Sequence, residues 1–213
     1  MKRNRGLLAL IIILVIIFID QATKLYVKTH FYLGESVDVT SWFKILFIEN
    51  NGMAFGMEIG SKIFLTLIRL IVSFIGIYYI WKIKDNPRLK LGFLISLSLI
   101  IAGAMGNNID GIFYGQLFND PYPPEIARMM PAEGGYAPVF YGKVVDMLYF
   151  PLFSFNWPDW VPFVGGDNFL FFQPVFNIAD AAISVGIAMV IFFYSSQIND
   201  LTSKSEDTET EKV

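Results

Sequence analysis

The chain has 213 residues, of which 54% are apolar and only 16% charged, against about one quarter charged in ordinary soluble domains. A net charge of −3, no cysteine and a single histidine, His30, exclude thiol catalysis, disulfides, cysteine-based zinc and His-rich metal sites, and imply no nucleic-acid partner. The profile is that of a membrane protein.

Four apolar runs are predicted to span. The first, residues 6–27, "GLLALIIILVIIFIDQATKLYV", covers roughly 33 Å as a helix at 1.5 Å per residue, close to a bilayer core. It resembles a secretory signal, but no small-x-small cleavage site follows, so it reads as a retained anchor. The second run is 63–81, the third 91–106 and the fourth 178–196. The third is short for a span unless Lys90 snorkels and Asn107 and Asn108 sit at the interface. Lys2, Arg3 and Arg5 before the first run, and Lys82, Lys84, Arg88 and Lys90 between the second and third, place both segments in the cytoplasm. The segments 28–62 and 107–177 then lie outside, and the polar tail 201–213 is cytoplasmic and disordered.

The expected fold is an all-α polytopic membrane protein, one domain over 1–200, with four transmembrane helices and both termini cytoplasmic. Alternation in "SVDVTSWFKILFIE" (36–49) makes 31–60 the strand-bearing part of a small outer, β-containing cradle. The run "YFPLFSFNWPDWVPF" (149–163) reads as an aromatic belt with Trp157 and Trp160 at headgroup level.

Against this map the polar residues gather at one surface. Asp20 and Lys24 lie near the outer end of the first span, Asn107, Asn108 and Asp110 follow the third, and Asn177 and Asp180 open the fourth. Asp146, in "YGKVVDMLYF", interrupts an apolar outer segment that reads as strand-like or interfacial. Ionisable groups at membrane depth are costly and point to function. Plainer roles stand beside that one. Asn177 and Asp180 have the spacing of a helix cap and a dipole-complementing acid. Asp20 and Lys24 are one helical turn apart, the spacing of an ion pair. Asn107 can simply end its helix, Gly52 in "ENNGMAFG" serves a turn, and His30 is an interfacial residue.

If Asp146 and Asp180 approach closely, repulsion and partial desolvation oppose double ionisation, and the pair holds one shared proton. The ionised member can then take a proton from water as it attacks a peptide carbonyl, while the protonated member stabilises the oxyanion. No metal or cofactor is needed. Signatures of other hydrolases are missing: there is no His-Glu-x-x-His helix, no Gly-x-Ser-x-Gly elbow and no lysine near Ser184 in the fourth run.

Five motifs in order, "DQATK" (20–24), "NNGMAFG" (50–56), "GNNID" (106–110), "VVD" (144–146) and "FNIADAAISVG" (176–186), resemble those of the lipoprotein signal peptidases, signal peptidase II, over essentially the whole chain. The resemblance implies an aspartic protease of the bacterial cytoplasmic (inner) membrane, its active site at the extracytoplasmic face. Its substrate would be a prolipoprotein carrying diacylglycerol on a cysteine, held in membrane lipid and cut on the N-terminal side of that cysteine. It also implies Asp146 and Asp180 as the catalytic pair, with Asn50, Asn107, Asn177 and Ala179 around the substrate. Asp20, Lys24, Gly52 and Asp110 match structural positions. The chain is expected to work as a monomer.

Two departures accompany the resemblance. Gly111 stands where the family usually has arginine, so a carbonyl clamp or an ion pair with Asp110 would need Arg128 or Lys143 to fold back in its place. A Pro- and Gly-rich insertion, 111–143, and a second extension, 149–172, are expected to form an ordered outer flap rather than another domain. A proton-relaying transporter or channel component is the alternative class, disfavoured because the acids cluster at one surface and no inverted repeat is visible. A membrane scaffold is a third.

Overall fold

Asn4 accepts a hydrogen bond from the amide of Leu7 at 3.2 Å, the geometry of an N-cap, and starts α1 (Arg5–His30). The computed structural model describes residues 4–51 and 62–197. Gly52 and the rest of its motif through Gly56 lie outside them. After α1 come β1 (Ser36–Thr40), β2 (Phe43–Asn50), α2 (Lys62–Ile83) and α3 (Leu91–Ile109). A π-helical turn (Asp110–Tyr114) and the one-turn α4 (Gly115–Leu117) continue α3, and β3 (Val144–Tyr149), β4 (Phe153–Asn156), β5 (Asn168–Phe171), β6 (Val175–Phe176) and α5 (Ile178–Phe193) complete the order.

Among the described residues, three helices are long and apolar enough to cross a membrane: α1, α2 and α3 with its continuation. The run expected as a fourth span forms α5, which is apolar but has 16 residues, roughly 24 Å at 1.5 Å per residue and short of a full bilayer core. The chain is therefore a multi-pass membrane protein with three long apolar helices and a small sheet. It divides into two compact units, one built from residues up to Gln21, 63–109 and from Ile178 on, the other from Ala22–Lys62 and Asp110–Asn177.

In the first unit, Ala9, Ile80, Leu89, Phe93, Leu94 and Ile101 form a buried cluster. Large apolar side chains such as Phe18, Phe64, Phe74, Trp81 and Phe192 stay exposed, as lipid-facing helices require. α3 and α5 pack backbone to backbone. A Cβ on Gly103 would lie 2.2 Å from the carbonyl oxygen of Ala179, and one on Gly186 would lie 2.7 Å from that of Ser96, so only glycine permits this approach. At one end of the unit Arg5 donates to the carbonyl of Asn86 at 2.8 Å, and the amide of Lys90 donates to the Gln197 side chain at 2.8 Å. The start of α1, the α2–α3 link and the segment after α5 thus meet there.

The second unit carries an antiparallel sheet in the order β1-β2-β3-β6 and a separate β4-β5 hairpin. The alternating segment expected to hold strands does so, as β1 and β2, and "VVD" opens β3. The β2-β3 register pairs Ile48 with Asp146, Glu49 with Val145 and Asn50 with Val144, and it shifts between Ile45 and Ile48. Phe47, Tyr114, Phe118, Val144, Val145 and Met147 are buried. The 111–143 insertion folds back along itself: amides of Met130, Tyr136, Ala137, Phe140 and Gly142 donate to carbonyls of Leu117, Phe118, Gly115, Ile112 and Gly111. It is ordered by its own backbone, with no regular strand.

Candidate active site

Asp146 sits on β3 with only 1% of its surface exposed. A carboxylate there must be matched by donors, and two asparagines supply them. Asn177 donates its side-chain amide to one oxygen at 2.7 Å, and Asn50, at the end of β2, donates to the other. Asn177 also donates to the carbonyl of Val145 at 3.2 Å, so β3 and the residue that opens α5 are joined twice. The side-chain amide of Asn177 therefore serves the carboxylate at least as much as any helix cap.

Asp110 anchors the same strand from behind. It accepts from the amide of Val145 at 3.2 Å and lies 2.9 Å from Lys24 Nζ, both side chains fully buried. The cation that meets Asp110 in place of the family arginine thus comes from α1. The two candidates raised by the sequence have other partners: Arg128 pairs with Glu133, and Lys143 with Asp120 at 2.6 Å and Glu49 at 3.5 Å. Gly142 makes room for this arrangement, because a Cβ there would lie 2.0 Å from the Asp110 carbonyl oxygen.

In the first unit, Asp180 stands in the first turn of α5, where the helix dipole favours negative charge. Asn107, near the end of α3, donates to it at 2.7 Å. Asp20 is fully buried and accepts from the amide of Ala179 at 2.9 Å and from Gln21 at 3.1 Å. It therefore caps α5 from another helix. Ala179 is buried, its amide on Asp20 and its carbonyl against Gly103. Gly106 admits Asp20, since a Cβ there would stand 2.7 Å from the carboxylate. His30 is exposed and stacks on Tyr26, with ring centroids 4.4 Å apart.

Sequence reasoning missed Lys28 and Glu49, which form a buried ion pair. Rings of Phe118, Tyr136 and Phe47 surround Lys28 Nζ at 5.1, 5.5 and 5.8 Å. The available signal was spacing: Asp20, Lys24 and Lys28 recur every four residues along α1, and all three are buried. Burial pulls the Lys143 amine down, but the hydrogen bond it donates to Asp120 and the charges of Glu49 and Asp120 outweigh it and hold the amine above its ordinary value. Burial likewise pushes the Tyr136 phenol well up; the Lys143 amide opposes this, and Glu49, Asp120 and Asp110 add to it. Among the described residues, no group of three or more His, Cys, Asp or Glu side chains is placed to hold a metal.

The sequence matches the family model described as Signal peptidase (SPase) II over residues 12–195. It is 45% identical over 199 residues to a lipoprotein signal peptidase of Porphyromonas gingivalis, covering 93% of this chain and 87% of that one. It is 38% identical over 205 residues to that of Amoebophilus asiaticus, covering 93% and 82%. Its fold is similar to a bacterial membrane enzyme solved in meso at 2.3 Å, with TM-score 0.60 and 23% identity over 92% of this chain and 90% of the other. A second such enzyme, solved at 1.9 Å, gives 0.56 and 24% over 86% and 89%. The chain belongs to the signal peptidase II family of membrane proteases.

Proposed function

We propose that the chain removes the signal peptide from diacylglyceryl-modified bacterial prolipoproteins, cutting on the N-terminal side of the lipidated cysteine, with Asp146 and Asp180 as the catalytic pair. The observation that carries this reading is the provision of donors. Three asparagines from three separate motifs aim their amides at these two carboxylates: Asn50 and Asn177 at Asp146, and Asn107 at Asp180.

In this mechanism one carboxyl is protonated and its partner ionised. The ionised group takes a proton from water as the water oxygen bonds to the scissile carbonyl carbon, while the protonated group gives its proton to the carbonyl oxygen. Collapse of the tetrahedral intermediate re-forms the carbonyl, breaks the C–N bond and delivers a proton to the leaving amine. Asn50, Asn107 and Asn177 act on the substrate through the carboxylates they orient, and Ala179 joins them by its place in the motif that carries Asp180. The diacylglyceryl group stays in the bilayer, so binding energy remote from the scissile bond holds that bond at the carboxylates' depth.

The same reading places the protein in the bacterial cytoplasmic membrane as a monomer, with α5 as a fourth, short span, both termini cytoplasmic and the active site facing outward. The basic residues around Arg5 and between α2 and α3 support that orientation, as does the meeting of Arg5, Asn86, Lys90 and Gln197 at one end of the first unit. The test is cleavage of a diacylglyceryl-modified prolipoprotein peptide by the wild type, Asp146→Asn and Asp180→Asn, with thermal unfolding followed in the same detergent. The expected result is a cut just before the lipidated cysteine, and a fall of at least about 10²- to 10⁴-fold in each folded variant. A folded wild type that leaves the peptide intact, or an Asn variant with full activity, overturns it.

A further inference from the structure

We propose that the buried Lys28–Glu49 ion pair positions the active site, fixing β2 so that Asn50 presents its side-chain amide to Asp146. The inference rests on the reading of Asp146 as a catalytic carboxylate.

Lys28 and Glu49 have side chains only 2% and 3% exposed. A buried ion pair is a poor way to stabilise a fold, because desolvation cancels much of the attraction and apolar residues of the same volume often do as well. It is restrictive all the same, since displacing either partner strands a charge. The three rings around Lys28 Nζ leave Glu49 as its anionic partner among these contacts. The pair therefore acts by specifying geometry.

What it specifies follows from its place in the sheet. Glu49 directly precedes Asn50. The β2-β3 register shifts between Ile45 and Ile48, then resumes with Ile48 opposite Asp146. A strand that leaves register must be pinned again where pairing resumes, and Glu49 is the second residue of the resumed stretch. Lys143, directly before β3, reaches the other Glu49 oxygen at 3.5 Å. One turn earlier on α1, Lys24 holds Asp110, which holds the amide of Val145. Two successive lysines of one helix face thus tether two strands: Lys24 tethers the strand that carries Asp146, and Lys28 the strand that carries Asn50. The Asn50–Asp146 hydrogen bond depends on both.

Lys28→Met/Glu49→Leu removes both charges together and tests this in folded protein. With the lipidated peptide, kcat is expected to fall about 10- to 100-fold, the cost of displacing a group by about 1 Å, with KM within about twofold. In asparagine-labelled protein the Asn50 side-chain ¹⁵N signal should move. Glu49→Asp, which keeps the charge, should retain more activity than Glu49→Gln and guards against a double variant that fails to fold. A folded double variant with wild-type kcat and an unmoved Asn50 signal overturns the proposal, as does equal activity of Glu49→Asp and Glu49→Gln. Asp146→Asn is assayed alongside. If it still cuts, the catalytic reading fails, and the Asn50 signal alone decides the positioning.

Discussion

Asn107 donates its side-chain amide to Asp180 at 2.7 Å, joining the end of α3 to the first turn of α5. Hydrogen bonds to charged groups contribute about 1.5–3 kcal/mol, so Asn107→Leu is expected to lower kcat roughly 10- to 100-fold. Steady-state cleavage of the lipidated peptide measures it. A folded Asn107→Leu enzyme with unchanged kcat would separate this asparagine from the chemistry.

Lys24 and Asp110 should show the asymmetry of a buried pair. Lys24→Met leaves Asp110 charged in a dry site and is expected to destabilise the protein by about 3–5 kcal/mol. Lys24→Met/Asp110→Asn leaves no bare charge and should regain much of that loss. Denaturation in mild detergent, with all variants compared in one double-mutant cycle, gives the coupling.

Gly103 is expected to tolerate no side chain. Its Cβ would overlap the Ala179 carbonyl oxygen at 2.2 Å, forcing α3 and α5 apart at a cost of about 1–3 kcal/mol. Because Ala179 is next to Asp180, Gly103→Ala should lose activity before it loses fold. Activity that persists to the thermal midpoint of the variant would contradict this.

Alkaline pH should loosen the second unit. Lys143 and Tyr136 both have folded-state values above their ordinary 10.5 and 10.0, so the folded state binds more protons than the unfolded one in that range. Their contribution is complete below those ordinary values and is lost as pH rises through the folded-state values. Protection of backbone amides in 111–143 against hydrogen exchange, corrected for intrinsic rates, should fall above about pH 10. Tyr136→Phe should flatten that fall, because phenylalanine has no proton to lose.

Much of this was legible beforehand, for identifiable reasons. Uninterrupted apolar runs located all the long helices, because a bilayer imposes length and composition on any segment that crosses it. Alternation from Ser36 to Glu49 located β1 and β2. The candidate residues stood out as short polar motifs at apolar borders, and hydrogen bonds run from Asn50 and Asn177 to Asp146 and from Asn107 to Asp180. Partnerships between distant segments were hidden. Local spacing suggested Asn177 as the cap of α5, yet Asp20 of α1 holds the Ala179 amide. Lys24 was read with Asp20, one turn away, yet it meets Asp110, which lies two helices later in the chain. Glu49 was read only as the end of an alternating strand segment, and its partner Lys28 lies 21 residues away on α1.

The line of Asp20, Lys24 and Lys28 down α1 bears on how the protein is made. In chain order α1 precedes the strand that carries Glu49 and, by far, the turn that carries Asp110, so its lysines are made before either of their acids. The long lysine side chains let the charges of that helix reach towards the headgroups in the meantime. Glu49 becomes available to Lys28 once β2 has been made. Asp110 follows α2 and α3 in the chain, so of these two pairs the one that holds β3 through Val145 is completed last.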